Sequence, residues 1–199
     1  MSTELGPRQR AAATKRRRTI GRITDAAHYL FDAHGWQAVT YEDVAKEANV
    51  STGTVLNHFA TKQALALGAY ASVLLPIVDR AETALVNETG ADAVTGFILE
   101  VAAAAAMSPA LAVALLPAGR DIKPTKATVE SDEIIIVDFD QLADLLGRLL
   151  EESWKGTTSP AESASDVAEF FLLGLLSRIM KHPEQSGAAS ANLTLDHLL

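Results

Sequence analysis

Apolar positions recur three and four residues apart along almost the whole chain. Ile20, Ile23, Ala27, Leu30 and Phe31 form one such stripe and predict a first helix over about 16–33. His34-Gly35-Trp36 ends it, with Gly35 suited to the left-handed residue that follows a helix. Thr40 then caps a second helix that turns Val44, Ala45 and Ala48 inward and carries Asp43 in its first turn. Ser51 caps a third, 52–58, in which only Val55 and Phe59 are spaced for burial. Thr61 caps a long helix over about 62–87, with Leu67, Tyr70, Leu74, Ile77, Val78, Ala81 and Leu85 on one stripe. Pro76 predicts a bend near its middle. Two apolar helices are predicted over 91–107 and 109–116, and a polar loop over 118–131. The β-branched run Ile134–Val137 could pass for a strand, but the leucines after it are helically spaced and one helix over about 132–155 is simpler. A linker at 156–160, a last long helix over about 160–181, and a short helix or disordered tail over 188–199 complete an all-α fold class.

One segment tests whether the chain is soluble. Val101–Gly119 has no charge over 19 residues, close to the length that spans a bilayer. It is rich in alanine, broken by Pro109 and Pro117, and lacks an aromatic belt, so a buried, broken helix pair is expected and no membrane partner. The absence of cysteine excludes disulfides and thiolate chemistry. A charged, non-apolar N-terminus carries no secretory signal, and a cytoplasmic location is expected.

The net charge of −8 conceals an asymmetry. Residues 1–62 hold nine Lys/Arg against six Asp/Glu, a balance of +3 that leaves −11 for the rest. A basic head on an acidic body suggests that the head meets a polyanion and the body does not. The alternative is a solvated basic arm with no partner, since seven of the nine basic residues precede Ile23.

The short third helix supplies a reason to prefer the polyanion. Two helices over about 41–47 and 52–58, joined by a tight turn and braced by a preceding helix, form a helix-turn-helix pattern. Val55 and Phe59 would dock the third helix on the second, leaving Thr52, Thr54, Leu56, Asn57 and His58 for a major groove or its rims. Asparagine can read adenine, the threonine methyl can touch thymine, and hydroxyls or histidine can donate to phosphates or base edges. Gly53 lets DNA approach the helix start closely. Lys62 and the first N–H groups of the next helix are placed for a phosphate. Arg16, Arg17 and Arg18 are the basic cluster nearest to this head.

The segment RITDAAHYLFDAHGWQAVTYEDVAKEANVSTGTVLNHFATKQAL (22–65) closely resembles the DNA-binding domain of TetR-family transcriptional regulators. The likeness rests on the AA..LF...G first helix and on T..D.A..A.VS.GT...HF..K..L with unbroken spacing. The resemblance implies an all-helical homodimer with a DNA-binding head and a larger ligand-sensing body in each subunit. It implies base or backbone contacts from Thr52, Gly53, Thr54, Asn57 and His58, and phosphate contacts from Thr40, Tyr41 and Lys62. Position 52 is commonly Lys or Arg in that family and position 56 commonly Tyr; here they are Thr52 and Leu56. Each change removes a possible DNA contact, which the basic arm can offset through phosphate neutralisation. The domain reading is a basic flexible arm over 1–15, a helix-turn-helix domain over 16–62 with its motif at about 40–59, and a ligand-binding and dimerisation domain over 63–199.

The body carries less information. Residues 170–176 are apolar all round, so they must be covered on more than one side, and a partner subunit satisfies that. Leu142, Leu146 and Leu149 on one helix and Phe171, Leu172, Leu175 and Ile179 on another are the expected dimer seam. The alternative is a central helix in a monomeric bundle. Small side chains and helix breaks around 101–114 favour a cavity, with Phe97, Val101, Met107, Leu111, Leu115 and Phe139 as lining; the alternative for each is plain core packing. No nucleophile motif, phosphate loop or metal-spaced cluster points to an enzyme, a cofactor or a metal. The expected function is a repressor that binds a palindromic double-stranded operator as a homodimer and is released by a small, mainly apolar effector. A helical carrier that has lost DNA binding and a helical enzyme are the alternatives, and a salt-dependent shift of promoter DNA separates them.

Overall fold

A computed structural model describes residues 6–87, 90–117, 136–155, 163–185 and 187–195. Among these the regular structure is helical throughout, and the all-α class stands. The first helix, α1 (Pro7–Ala38), is longer than its apolar stripe. Its buried face begins at Ile23 and continues through Ala26, Ala27, Leu30 and Phe31, yet the helix starts about four turns earlier. The arm expected to be flexible over 1–15 is thus helical from Pro7 onward, and residues 1–5 lie outside the described residues. Alanine, lysine and arginine are strong helix formers, so propensity carries this extension without packing. Gly35, at φ 76° and ψ 172°, kinks α1 before its last turn.

α2 (Tyr41–Glu47) and α3 (Thr52–His58) begin where their caps predict. Thr40 Oγ1 accepts from the Asp43 N–H at 3.2 Å, and Asp43 Oδ2 accepts in return from the Thr40 N–H at 3.0 Å. Hydrogen bonds from the Thr40 side chain and backbone hold the Asp43 carboxyl below the usual carboxylate range. Ser51 Oγ accepts from the Thr54 N–H at 3.1 Å, and Thr61 Oγ1 from the Ala64 N–H at 3.0 Å. Each such cap contributes about 1 kcal/mol. Between α2 and α3, Asn49 takes φ 52°, a left-handed turn that asparagine tolerates.

The expected long helix over 62–87 is two helices. α4 (Lys62–Ala69) and α5 (Ala71–Val86) meet at 67°, and the break is at Tyr70 rather than Pro76. Tyr70 closes α4 with its N–H on Ala66 O at 3.0 Å and opens α5 by accepting from Leu74 N at 3.1 Å. Pro76 stays inside α5, early enough that the bond it forfeits is one to the first turn. α4 lies close against the head, because a Cβ on Gly68 would sit 2.6 Å from Phe59 Cε1. That approach seats Phe59, the residue that ends α3.

The body comprises α6 (Gly90–Met107), α7 (Pro109–Leu115), α8 (Phe139–Ser153), α9 (Ala164–Lys181) and α10 (Gly187–Leu195). On length and composition α6 could cross a membrane, but Val94, Phe97, Ile98, Val101, Ala102 and Ala105 are buried in the bundle. α8 starts at Phe139 and not at 132, since Asp138 Oδ1 caps it by accepting from the Gln141 N–H at 3.0 Å. Ile136 and Val137 precede the cap as non-helical chain, as β-branched residues favour. The loop expected over 118–131, the start of the helix expected at 132, and the linker at 156–160 lie outside the described residues. α8 packs along α9, and α10 covers α6 and part of α9.

Candidate nucleic-acid interface

α3 is held from below and open above. Val55 and Phe59 are buried in the core that also contains Val44, Ala45 and Ala48 of α2. At 100° per residue, Gly53, Thr54 and Asn57 then project away from that core, with Leu56 and His58 at the flanks. Gly53 and Asn57 are exposed, and Leu56 is 44% exposed. Thr54 is half-buried, and its Oγ1 lies 2.8 Å from Ser51 Oγ, so the cap engages it. Thr52 lies nearest to the buried edge and is half-buried. Of the five residues expected on the groove-facing side, Gly53, Thr54 and Asn57 come together on the outward face; His58 flanks it, and Thr52 lies toward the core.

Arg16 stands four residues before Ile20 and seven before Ile23, so it continues the inward stripe of α1, near enough to α3 for its charge to act on His58. His58 Nδ1 and Arg16 Nε are both shielded from solvent without a hydrogen-bond partner. Burial, and next the positive charge of Arg16, hold the His58 imidazole below its ordinary pKa of 6.5. Arg17 and Arg18 follow at about 100° steps around α1 and are exposed.

Lys62, at the start of α4, sits with Nζ 5.2 Å above the centre of the Trp36 ring, which stacks in turn on Phe31 at 5.7 Å. Partial burial lowers the Lys62 pKa, and the ring face still favours the ammonium form. Thr40 is exposed, with its hydroxyl donating to Asp43 Oδ2 at 2.7 Å. Tyr41 is half-buried, and that burial raises its phenol pKa.

Sequence reasoning missed three residues. Arg22, counted with the basic arm, donates through one guanidinium nitrogen to the carbonyls of Ala48 and, at 2.6 Å, Asn49. It fastens α1 to the turn between α2 and α3, using carbonyls that the end of α2 leaves without helical partners. Its position beyond Ile20, within the segment that packs on the head, is the one cue that separates it from the arm. Trp36 and Gly68 gave no cue, because their roles depend on chain segments that meet only in the fold.

In the body the expected sites divide differently. Phe97, Val101, Leu111, Leu115 and Phe139 are buried, but Met107 is 86% exposed, because α6 ends there and the chain turns at Ser108. The expected seam residues Leu142, Leu146, Leu149, Phe171, Leu172, Leu175 and Ile179 are all buried within the protomer's own core. They close α8 on α9 within the protomer. The apolar side chains that α9 does present outward are Phe170 (81% exposed), Leu173 (38%) and Met180 (41%).

A capped helix-turn-helix with an open polar face is flanked by a basic helix and set on a helical body. Residues 23–69 match the family model for bacterial regulatory proteins, tetR family. A transcriptional regulator named for mycofactocin biosynthesis, MftR of Mycobacterium tuberculosis, is 31% identical over 68 residues, 34% of each chain. The match thus spans about a third of that relative's length. Among solved structures, FadR of Thermus thermophilus, a TetR-family repressor in complex with lauroyl-CoA, superposes with TM-score 0.68 at 20% identity, covering 90% of this chain and 92% of that one. FadR of Bacillus halodurans, a fatty acid degradation regulator, gives 0.56 at 20% identity, over 89% and 96%. Both are likenesses of fold.

Proposed function

We propose that this regulator is a repressor that binds a palindromic operator as a homodimer and is released by a small, mainly apolar effector. The observation that carries the reading is α3, whose outward face offers Gly53, Thr54 and exposed Asn57 over a firmly seated Val55 and Phe59. Asn57 reads a base in the major groove, and Gly53 and Thr54 fix the approach of the backbone. Lys62, Arg16, His58, Thr40 and Tyr41 neutralise or hydrogen-bond the flanking phosphates, with Arg17 and Arg18 reaching the strand beyond.

A seven-residue helix covers one half-site only, so affinity comes from two heads about 34–36 Å apart. The exposed stripe Phe170, Leu173 and Met180 of α9 supports a second copy as the partner, and Gly174 in that stripe has open space above it. The body's interior of Phe97, Val101, Leu111, Leu115 and Phe139 is where an apolar effector would insert, in the cytoplasm, without a cofactor. Lauroyl-CoA, the ligand of the Thermus FadR, is the first probe to try.

The test is selection of bound fragments from the source genome, followed by anisotropy titration of the recovered duplex across a salt series. The expected result is a few related, inverted-repeat sequences whose affinity falls linearly with log salt. Recovery of no preferred fragment at any salt concentration would remove the repressor reading.

A further inference from the structure

We propose that Trp36 is the positioning residue for Lys62, its indole face holding the ammonium, charged and without a carboxylate partner, where a phosphate would meet it. The proposal rests on the repressor reading, which makes Lys62 a phosphate contact.

The perch is built by a break in α1. Phe31 and Trp36 are five residues apart, and on an unbroken helix that spacing turns them about 140° from each other. Gly35, at φ 76°, interrupts the helical path and brings Trp36 onto Phe31, with ring centres 5.7 Å apart and planes 15° from parallel. Phe31 is 1% exposed and anchors the pair in the core. Trp36 packs against that core and is half-buried, with Lys62 Nζ standing over its ring at 5.2 Å from the centre. The other end of Lys62 is fixed too, because Thr61 caps α4 and Gly68 brings that helix against Phe59.

Lys62 occupies a poor place for a cation. It is the first residue of α4, where the positive end of the helix dipole opposes an ammonium. The first turn of α4 carries no acidic residue, and among the described residues Lys62 makes no ion pair. In the body, by contrast, Arg80, Arg148 and Lys155 each meet a carboxylate. A carboxylate beside Lys62 would steady the side chain but cancel its charge toward DNA. An aromatic face steadies it without cancelling anything, since the ring attracts the cation through its quadrupole and carries no net charge. The rotamer freedom that a phosphate contact would cost is then largely given up in the free protein, while N–H donors of the ammonium remain for the anion.

The test joins titrations across a salt series to NMR of the full chain labelled at lysine. In the free natural chain the Lys62 ε-methylene resonances are expected upfield of those of the other lysines, shifted by the indole ring. They should stay there when the duplex from the genomic selection is added. Trp36→Leu, which keeps an apolar filler, should return them to the ordinary position. It should also weaken binding about fivefold per head on operator and scrambled DNA alike, the scale of fixing one long side chain. The salt slope should hold, because Lys62 still neutralises its phosphate. Trp36→Phe restores a ring face and should recover most of the affinity. On the Lys62→Ala background, Trp36→Leu should cost nothing more, whereas a Trp36 that only fills the core would cost as much as before.

The proposal is overturned by such additive losses, by Lys62 resonances at the ordinary position in the free chain, or by their return there on binding DNA. The last two outcomes need no variant and decide the matter even if Trp36→Leu does not fold. Any of them alongside selective DNA binding overturns the proposal and leaves the repressor reading standing; no selective binding to any duplex removes both.

Discussion

α3 turns Gly53, Thr54 and Asn57 outward over Val55 and Phe59, whereas α9 turns Phe170, Leu173 and Met180 outward over Phe171, Leu172, Leu175 and Ile179. One helix is short, capped and polar on its free side; the other is long and, over residues 170–176, apolar all round. A free polar face with a buried anchor is built to be wetted and then to meet a hydrated partner such as a base edge. A free apolar face is an unfavourable surface until something dry covers it. The contrast is the basis for proposing DNA as the partner of the first helix and a second copy of the chain as the partner of the second.

The strongest way to break this contrast is to put one charge on each side of α9. Leu172→Glu buries a carboxylate in the protomer's own core and is expected to destabilise the fold by about 3–5 kcal/mol, seen as a lower midpoint in urea. Leu173→Glu, one residue on, should leave the urea midpoint nearly unchanged and give a monomer by sedimentation at micromolar concentration, with operator affinity down about 100-fold. A Leu173→Glu chain that remains dimeric would move the seam off this stripe.

Smaller effects sharpen the picture of α3 and its surroundings. Lys62→Ala is expected to weaken binding to every duplex and to lower the salt slope by about 0.9 for each phosphate that is no longer neutralised. Arg22→Met should weaken binding with the slope unchanged, because Arg22 holds the turn at Ala48 and Asn49 rather than a phosphate. His58 gives the subtlest signal. Its imidazole is held neutral by burial and Arg16, so below pH 6.5 the unfolded chain binds the extra proton first. The free protein therefore loses stability as pH falls from 6.5 through the lowered folded pKa. DNA binding should strengthen over the same window if a phosphate faces His58, and His58→Gln should flatten both trends. Thermal melts and titrations between pH 5 and pH 7.5 read the two slopes.

What was legible in the sequence follows the locality of each cause. Thr40, Ser51 and Thr61 cap α2, α3 and α4 through bonds to residues three positions on, so the starts of these helices were readable. The break at Tyr70 was not, because its hydroxyl partners, Asp32 and Ser108, are 38 residues away in each direction. Pro76 misled for a related reason: near a helix start it removes a bond of little structural weight. On the free side of α3 the polar residue types themselves pointed outward. Along α9 every neighbouring position was apolar, and period alone did not say which side the protomer itself would bury. That is why Leu172 and Leu175 were expected at the seam, although Phe170 and Leu173 are the side chains left exposed. The start of α8 has a local cause, the β-branched Ile136 and Val137 closed by the Asp138 cap.

The measurement that bears most directly on the central claim, that α3 reads sequence, is the affinity of Asn57→Ala for the recovered operator and for a scrambled duplex of equal length at one salt concentration. The predicted result is a loss of about 1–3 kcal/mol on the operator, concentrated at one base position per half-site, with scrambled DNA bound as before. An equal loss on both duplexes, or none on either, would contradict it.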